Sequence, residues 1–410
     1  MLSQKTIDII KSTVPVLEVH GEAITTRFYQ LLFSRHPELL NIFNHANQKK
    51  GRQQAALANA VYAAAANIDN LAAIIPVVKQ IGHKHRSLGV KPEHYPIVGE
   101  NLLAAIKDVL GDAATDEIIG AWAEAYGVIA DAFISVEAEM YDEAEKQPGG
   151  WENFRTFTVV EKVKESEVIT SFYLKPADGG PISNYLPGQY ISVKVKLDGD
   201  EYTHIRQYSL SDAPGKEYYR ISVRREDASE DHPQGVVSTY LHHQVEVGDA
   251  LQVSAPAGDF VLDTDKKTPI VLLSAGVGLT PLVSMLNSLA GQSDRQVSFI
   301  HSAVNGNYHA MKEHVQQLAK DHKNIRSYVC YQRPTSADRE QASFDKEGYI
   351  DLNWLKSVVP SNQADFYFCG PVSFMKGIYA VLKEWGVSTD RIHYEFFGPA
   401  TVLEEPVSVN

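Results

Sequence analysis

The segment VVKQIGHKHRSLGV, residues 77–90, carries two imidazoles, His83 and His85, either of which could hold a metal. The spacing predicts a helix over 74–88, on which Ile74, Val78, Ile81, His85 and Leu88 form one apolar stripe. His83 groups instead with Lys79 and Arg86 on a polar stripe. Residues two apart on a helix point to nearly opposite sides, so the two rings cannot face one pocket. His85 reads as the buried ring and His83 as the solvated one. Further along, Glu137 interrupts the apolar run Phe133, Ile134, Met140, Tyr141, an expensive place for a carboxylate unless it is paired. Upstream, Tyr29 shares a helix face with Leu32 and Phe33, Gln53 shares one with Leu57, and Phe43 falls in an interhelical loop. By spacing alone, His85 could equally be a core histidine bonded to a backbone carbonyl, and Glu137 an edge residue near solvent.

A second constellation begins at HIRQYSL, residues 204–210, with Arg206, Gln207, Tyr208 and Ser209. On a strand Arg206 and Tyr208 share a face. A guanidinium can grip a diphosphate bidentately. A tyrosine ring can lie on a flat heterocycle, and a serine hydroxyl can reach one of its nitrogens. PGQY, residues 187–190, sets Tyr190 at the start of another strand. GVVSTYLH opens a short helix with Gly235, Val236, Val237 and Ser238, whose exposed amides suit a phosphate.

A third constellation is PIVLLSAGVGLTP, where an apolar strand turns through Gly276, Val277, Gly278, Leu279, Thr280 and Pro281. Pro281 stands where the common dinucleotide fingerprint has its third glycine. A second strand, DFYFCGP, ends in Cys369, Gly370 and Pro371. Two such strand ends side by side make the ligand crevice of an open parallel sheet. The combination resembles the nicotinamide-binding half of the ferredoxin reductase superfamily, which implies that Cys369 lies near the nicotinamide ring; by spacing alone it is as readily a small buried residue. No arginine follows FIHSAVNG closely, although Ser302 and His301 are available and Arg333 could contribute. That favours NADH, with NADPH as the alternative.

Three textures position these groups. Residues 1–146 are helical in pattern and alanine-rich, with Pro37, Pro76, Pro92 and Pro96 where helices start or break. KQPGG marks a boundary, giving a linker over 147–150. Residues 151–265 alternate apolar and polar residues at period two, as in an antiparallel barrel. Residues 266–410 show continuous apolar strands with helical stretches between most of them, as in a parallel α/β sheet.

The 410-residue chain carries a net charge of −13, which repels nucleic acid. Its two cysteines, Cys330 and Cys369, form no disulfide framework and fit a reducing cytoplasm. No signal peptide is evident at the N-terminus, and no apolar run approaches the ~20 residues that cross a bilayer. The expected protein is therefore cytoplasmic, has no transmembrane segment, and is monomeric.

Taken together, residues 1–146 resemble a bacterial globin and nearly the whole chain resembles a flavohaemoglobin, a nitric oxide dioxygenase family. The R-x-Y-S, P-G-Q-Y and G-V-V-S motifs are similar to the FAD site of the ferredoxin reductase superfamily. The resemblance implies that His85 ligates haem b iron and that Tyr95, in PEHYP, and Glu137 orient its ring. It places Phe43 against the haem, Tyr29, Gln53 and Leu57 on the distal side, and Lys84 at the haem edge toward the flavin. It also implies that EFFGP, Glu395, Phe396, Phe397, Gly398 and Pro399, closes over the flavin, with Glu395 and Phe396 touching it. NADH or NADPH would reduce FAD, FAD would reduce haem iron, and nitric oxide with O2 would become nitrate, detoxifying nitric oxide. A carboxylate-paired imidazole would favour reactivity over simple carriage. The alternatives are a flavin or ferric reductase with a regulatory globin, or an oxygen or redox sensor. A sensor usually carries an output domain, and here a reductase stands in that place.

Overall fold

The computed structural model describes residues 2–43, 51–229, 233–290, 294–398 and 403, with nothing described for the Arg52 side chain. The chain divides into two compact units. The first is Met1–Arg155 with Ser192–Arg206 and Val253–Ala257. The second is Thr156–Ile191, Gln207–Gln252 and Gly258–Asn410.

Five α-helices make the helical part: α1 (Gln4–Arg35), α2 (Arg52–Ala66), α3 (Ile75–Leu88), α4 (His94–Leu110) and α5 (Asp116–Lys146). The Ser3 hydroxyl caps α1 by accepting from Thr6 N, and Pro15 lies inside that helix without ending it. α3 starts with Pro76 in its first turn and stops at Gly89, whose φ of +79° closes the helix in the left-handed region. Thr115 caps α5 by accepting from Ile118 N, with Asp116 and Glu117 at the positive end of the helix. Ile10, Ile24, Phe28, Leu32, Leu102 and Trp122 form the core of this part. Contrary to the sequence expectation, one helix among the described residues, α5, is long and apolar enough to cross a bilayer by length and composition. Its alanines raise the hydropathy, but Ala121, Trp122 and Ala125 are buried in the helical core, and so is the Glu137 carboxylate.

The first sheet contains β1 (Phe154–Lys164), β2 (Ile169–Pro176), β3 (Tyr190–Val195), β4 (His204–Ser209), β5 (Tyr219–Arg224) and β6 (Ala250–Ser254), in the order β4-β3-β6-β1-β2-β5. β1 and β2 pair antiparallel, with a register shift between Val159 and Glu161, and β2 pairs antiparallel with β5. An antiparallel bridge from Leu210 to Ile221 joins the end of β4 to β5 and closes the sheet on itself. Helix α6 (Val236–His243) precedes β6.

The second sheet contains β7 (Ile270–Ala275), β8 (Val297–Ala303), β9 (Ile325–Tyr331), β10 (Lys346–Glu347), β11 (Asp365–Cys369) and β12 (Ile392–Glu395). The order is β10-β9-β8-β7-β11-β12, and every pair is parallel. Helices α7 (Leu279–Leu289), α8 (Lys312–Asp321), α9 (Ser336–Glu340), α10 (Leu352–Val358) and α11 (Val372–Glu384) alternate with the strands. Leu272 and Phe299 pack with α7 residues on one face, and Leu273 and Phe366 pack with α11 residues on the other. From β7 the chain order runs outward through β8, β9 and β10, then returns to β11 on the other side. The strand ends at that reversal form a crevice. The three sequence textures are thus three architectures: helical, antiparallel barrel, parallel α/β.

Candidate functional site

His85 sits in the last turn of α3, and its Nδ1 donates to Glu137 Oε1 at 2.7 Å. The Tyr95 hydroxyl, from the first turn of α4, donates to the same oxygen at 2.7 Å. Two donors thus answer the carboxylate, which is only 3% exposed. With Nδ1 protonated and committed to Glu137, the lone pair of His85 lies on Nε2. Burial first, and the Glu137 charge second, raise the Tyr95 phenol well above its ordinary value, so it stays a donor. The Tyr126 hydroxyl donates to the Tyr95 carbonyl at 2.7 Å, and its ring leaves no room for a side chain at Gly99.

The stripe argument about the two histidines needs correcting. His83 is half-buried, not solvated, and the His85 side chain is 32% exposed. The Nδ1 edge of the His85 ring faces the buried Glu137 carboxylate, which leaves Nε2 as the atom that can take a ligand. Among the described residues, no three His, Cys, Asp or Glu groups could cage an ion. A metal at His85 must therefore bring most of its own donors, as a macrocycle does. The residues fit a haem.

On α1, the buried Tyr29 ring meets Phe33 at 5.7 Å between centroids, and Phe28 and Phe43 edge-on at 4.8 and 5.8 Å. Gln53 and Leu57 lie one turn apart on α2, and Leu57 packs against the helical core. Lys84 precedes His85 on α3, and burial holds its amine below the usual lysine value.

In the barrel, Arg206, Gln207 and Tyr208 are half-buried on β4 and Ser209 is buried. The Tyr190 ring lies over Gly258, where an added Cβ would come within 3.0 Å of two ring carbons, and Gly258 has φ +113°. Gln189 Nε2 donates to the Gly258 carbonyl at 3.1 Å, fixing the P-G-Q-Y turn to that loop. The first turn of α6 offers the amides of Val236, Val237 and Ser238, with Gly235 as N-cap. The Ser238 hydroxyl is engaged within the protein, which leaves the backbone amides as the expected phosphate donors. Its oxygen donates to Gly235 O at 3.2 Å and accepts from Glu226 N at 3.2 Å, bracing the helix start. Val237 is buried in the barrel, so this segment would serve a phosphate through its backbone.

In the parallel sheet, Gly276 has φ +53° and open space beside it, as a turn over a pyrophosphate requires. A Cβ on Gly278 would stand 2.3 Å from the Cys369 carbonyl oxygen, so the turn touches the end of β11. Leu279, Thr280 and Pro281 are buried in the start of α7, with Val277 half-buried before them. Gly370 abuts Phe374, and Pro371 caps α11. Cys369 is fully buried, and burial followed by the Glu395 charge pushes its thiol well above the ordinary value, so it is no thiolate nucleophile.

Glu395 pairs with Cys369 in the parallel β11–β12 register. Its Oε2 is buried without a hydrogen-bond partner, which suits a site that receives a ring bearing polar atoms. Phe396 packs on the sheet core and Phe397 is exposed, with Gly398 after it. Pro399 lies outside the described residues. His301 and Ser302, expected as open donors for the NADPH phosphate, are both buried. His301 Nδ1 pairs with Ser274 Oγ at 2.8 Å, and burial lowers the imidazole to about 4, so it brings no positive charge. Arg333 stands exposed just past β9.

Burial first, and the Asp259 charge second, raise the Glu395 carboxyl to about 8 from an ordinary 4.5. Between those values the folded chain holds a proton that the unfolded chain has released, so stability falls as pH rises through that window. A Glu395→Gln chain is expected to lose this slope. Thermal midpoints that fall equally in both chains across the window would exclude it.

The globin family pattern matches residues 26–133, an oxidoreductase FAD-binding domain 156–262, and an oxidoreductase NAD-binding domain 272–379. The chain is 64% identical over 405 residues to the flavohemoprotein of Bacillus thuringiensis subsp. konkukian, covering 98% of this chain and 100% of that one. It is 56% identical to that of Bacillus subtilis, covering 99% and 100%.

The chain belongs to the flavohaemoglobin family.

The structure of a flavohemoglobin from Malassezia yamatoensis with bound FAD and heme matches with a TM-score of 0.83 at 28% identity, covering 97% of this chain and 100% of that one. The FAD/NAD-binding domain of a nitric oxide dioxygenase from Vibrio cholerae matches at 42% identity and a TM-score of 0.54, covering 60% of this chain and 99% of that one. As a flavohaemoglobin, the chain is an oxidoreductase that uses haem, FAD and a nicotinamide nucleotide. Sequence reasoning missed Gly258 and Tyr126. The signals were a glycine just past a barrel strand, and a tyrosine on α5 whose partner lies on α4.

Proposed function

We propose that this flavohaemoglobin is a nitric oxide dioxygenase of the cytoplasm, drawing electrons from NADH or NADPH. The observation that carries the reading is Glu137 Oε1, which accepts from both His85 and Tyr95. An imidazole held by a carboxylate is a stronger donor to iron than one held by a neutral carbonyl, and that favours oxidation chemistry over carriage. The Vibrio cholerae protein that matches the reductase part is itself named a nitric oxide dioxygenase.

When bound, FAD divides the electron pair of a hydride into single electrons, and haem supplies an iron that accepts them. Around these groups His85 Nε2 holds the iron, Glu137 holds the proton on Nδ1, and Tyr95 fixes the carboxylate. Tyr29 offers a hydroxyl on the distal side, Gln53 and Leu57 narrow that side to small molecules, Phe43 packs on the haem and Lys84 stands at its edge. Arg206, Gln207, Tyr208, Ser209 and Tyr190 line the flavin, with the amides of 236–238 on its phosphates. The 276–281 turn would take the nicotinamide pyrophosphate, Cys369, Gly370 and Pro371 would flank the nicotinamide ring, and Glu395 and Phe396 would touch the flavin.

Nitrate formation from one nitric oxide and one O2 requires one electron. One nicotinamide nucleotide therefore serves two nitric oxides and two O2, giving two nitrates and one proton. The test is purified protein with NADH, nitric oxide and O2. The expected result is nitric oxide loss only when O2 is present, in that ratio, with nitrate as product. Nucleotide oxidation indifferent to nitric oxide would reject the reading.

A further inference from the structure

Gly21, Thr25 and Tyr29 recur every four residues on α1 and form one stripe. Against this stripe, α2 runs in the opposite direction. A Cβ on Gly21 would stand 3.4 Å from Ala58 Cβ, and one turn further on the Thr25 hydroxyl donates to the Gln54 carbonyl at 2.9 Å. Four residues forward on α1 thus match four residues back on α2. Tyr29 lies one turn beyond Thr25 on α1, while Gln53 immediately precedes Gln54 on α2 and Leu57 follows it by three residues.

The direction of the Thr25 bond is unusual for this helix. Hydroxyls inside helices commonly turn back on their own carbonyls. Those of Ser12, Thr13 and Ser34 do so on α1, at 2.7, 2.7 and 2.9 Å. Thr25 makes only a long 3.3 Å contact of that kind, to Glu22, and gives its shorter bond to the neighbouring helix. The residue is 2% exposed, so no water competes for the bond. The small-residue contact at Gly21 and Ala58 is not directional and tolerates sliding, whereas a hydrogen bond weakens quickly with distance and angle. Directional bonds therefore fix the register of α2 along α1: the exposed one from the Tyr62 hydroxyl to Glu18 Oε1 at 3.1 Å, and that of Thr25, which lies one turn from Tyr29.

We propose that Thr25 is a positioning residue of the distal side: its bond to Gln54 sets the distance between the Tyr29 hydroxyl and the side chains of Gln53 and Leu57. This rests on the reading of those three residues as distal. Thr25→Val keeps the shape and deletes the hydroxyl, and Thr25→Ser keeps the hydroxyl. The full-length protein, loaded with haem and FAD, is read by the C–O stretching band of its carbon monoxide adduct and by its O2 release rate.

In Thr25→Val the band shifts or broadens and O2 release quickens by about fivefold, the scale of one ordinary hydrogen bond. Thr25→Ser stays with the parent chain. In a Tyr29→Phe background, Thr25→Val adds nothing further. The proposal is overturned if Thr25→Val matches the parent in both readouts, if Thr25→Ser is displaced as far as Thr25→Val, or if the effects add to those of Tyr29→Phe. If Tyr29→Phe speeds release and Thr25→Val does not, this proposal alone fails. If Tyr29→Phe changes nothing, the distal reading fails and takes the proposal with it. Should Thr25→Val not fold, Thr25→Ala carries the same comparison against Thr25→Ser.

Discussion

Replacing His85 with alanine abolishes nitric oxide consumption while leaving NADH-driven flavin reduction intact. Among the described residues no other His, Cys, Asp or Glu lies in a cluster able to replace it at a metal. Its tautomer is fixed by Glu137 and Tyr95, so the iron-binding lone pair exists at one atom. Losing a partner that orients a metal ligand typically costs 10–100-fold, and losing the ligand itself should cost more than about a hundredfold. Glu137→Gln tests the orienting partner and belongs in the smaller range, with a shifted haem reduction potential. The FAD- and NAD-binding family patterns match residues 156–262 and 272–379, past His85 in the chain. The measurement is nitric oxide loss beside flavin bleaching on the same preparation. A His85→Ala protein that still consumes nitric oxide at the parent rate would make the globin a regulatory part of a flavin or ferric reductase.

Gly278→Ala cripples the reductase half. The new Cβ would lie 2.3 and 2.4 Å from the Cys369 carbonyl oxygen and carbon and 2.6 Å from Gly370 N, all backbone atoms that no rotamer change can move aside. The turn and the end of β11 must part, which costs roughly 1–3 kcal/mol of stability and distorts both walls of the crevice. Flavin reduction by NADH should slow about tenfold or more, the effect expected when bound groups shift by a fraction of an ångström to an ångström. Gly276→Ala meets no protein atom: that glycine, unlike Gly278 at φ −62°, has a left-handed φ of +53° and nothing within 4 Å of an added Cβ, the space a pyrophosphate would take. It suffers backbone strain of ~1–2 kcal/mol without the collision. Equal rates of flavin reduction in the Gly278→Ala and parent chains would show that the turn does not meet the nucleotide.

The sequence exposed the parts of this molecule that follow from periodicity. The helix α3, the apolar strands of the second sheet and the G-V-G turn are local patterns, and the structure has them where the spacing puts them, although α3 buries Val78, Gly82 and Arg86 and not the whole predicted stripe. β2 did not stand out because its Thr170 and Ser171 are buried, with Ser171 bonded to Glu165 and Ser222, so polar residues fall where alternation expects apolar ones. Glu137 was visible as an anomaly, a carboxylate in an apolar run. Periodicity did not give its partners, which lie 52 and 42 residues away; the family resemblance named them. His301 shows the opposite failure: a polar side chain of the right type beside a ligand motif, whose Nδ1 is engaged by Ser274 Oγ and which burial keeps uncharged. Residue type announces what a group can do, while only its surroundings decide whether its capacity is already taken.

The register of the last strand carries a consequence for how the molecule is made. Glu395 reaches the crevice only through β12, which pairs with β11, which in turn pairs with β7 across the span from residue 270 to residue 365. Pairings between distant residues form slowly because a long loop must close first. During synthesis the helical segment emerges well before any of these three strands can meet. The nascent chain therefore has His85 in place before Glu395 exists, and the domain matched to nicotinamide nucleotide binding is completed last.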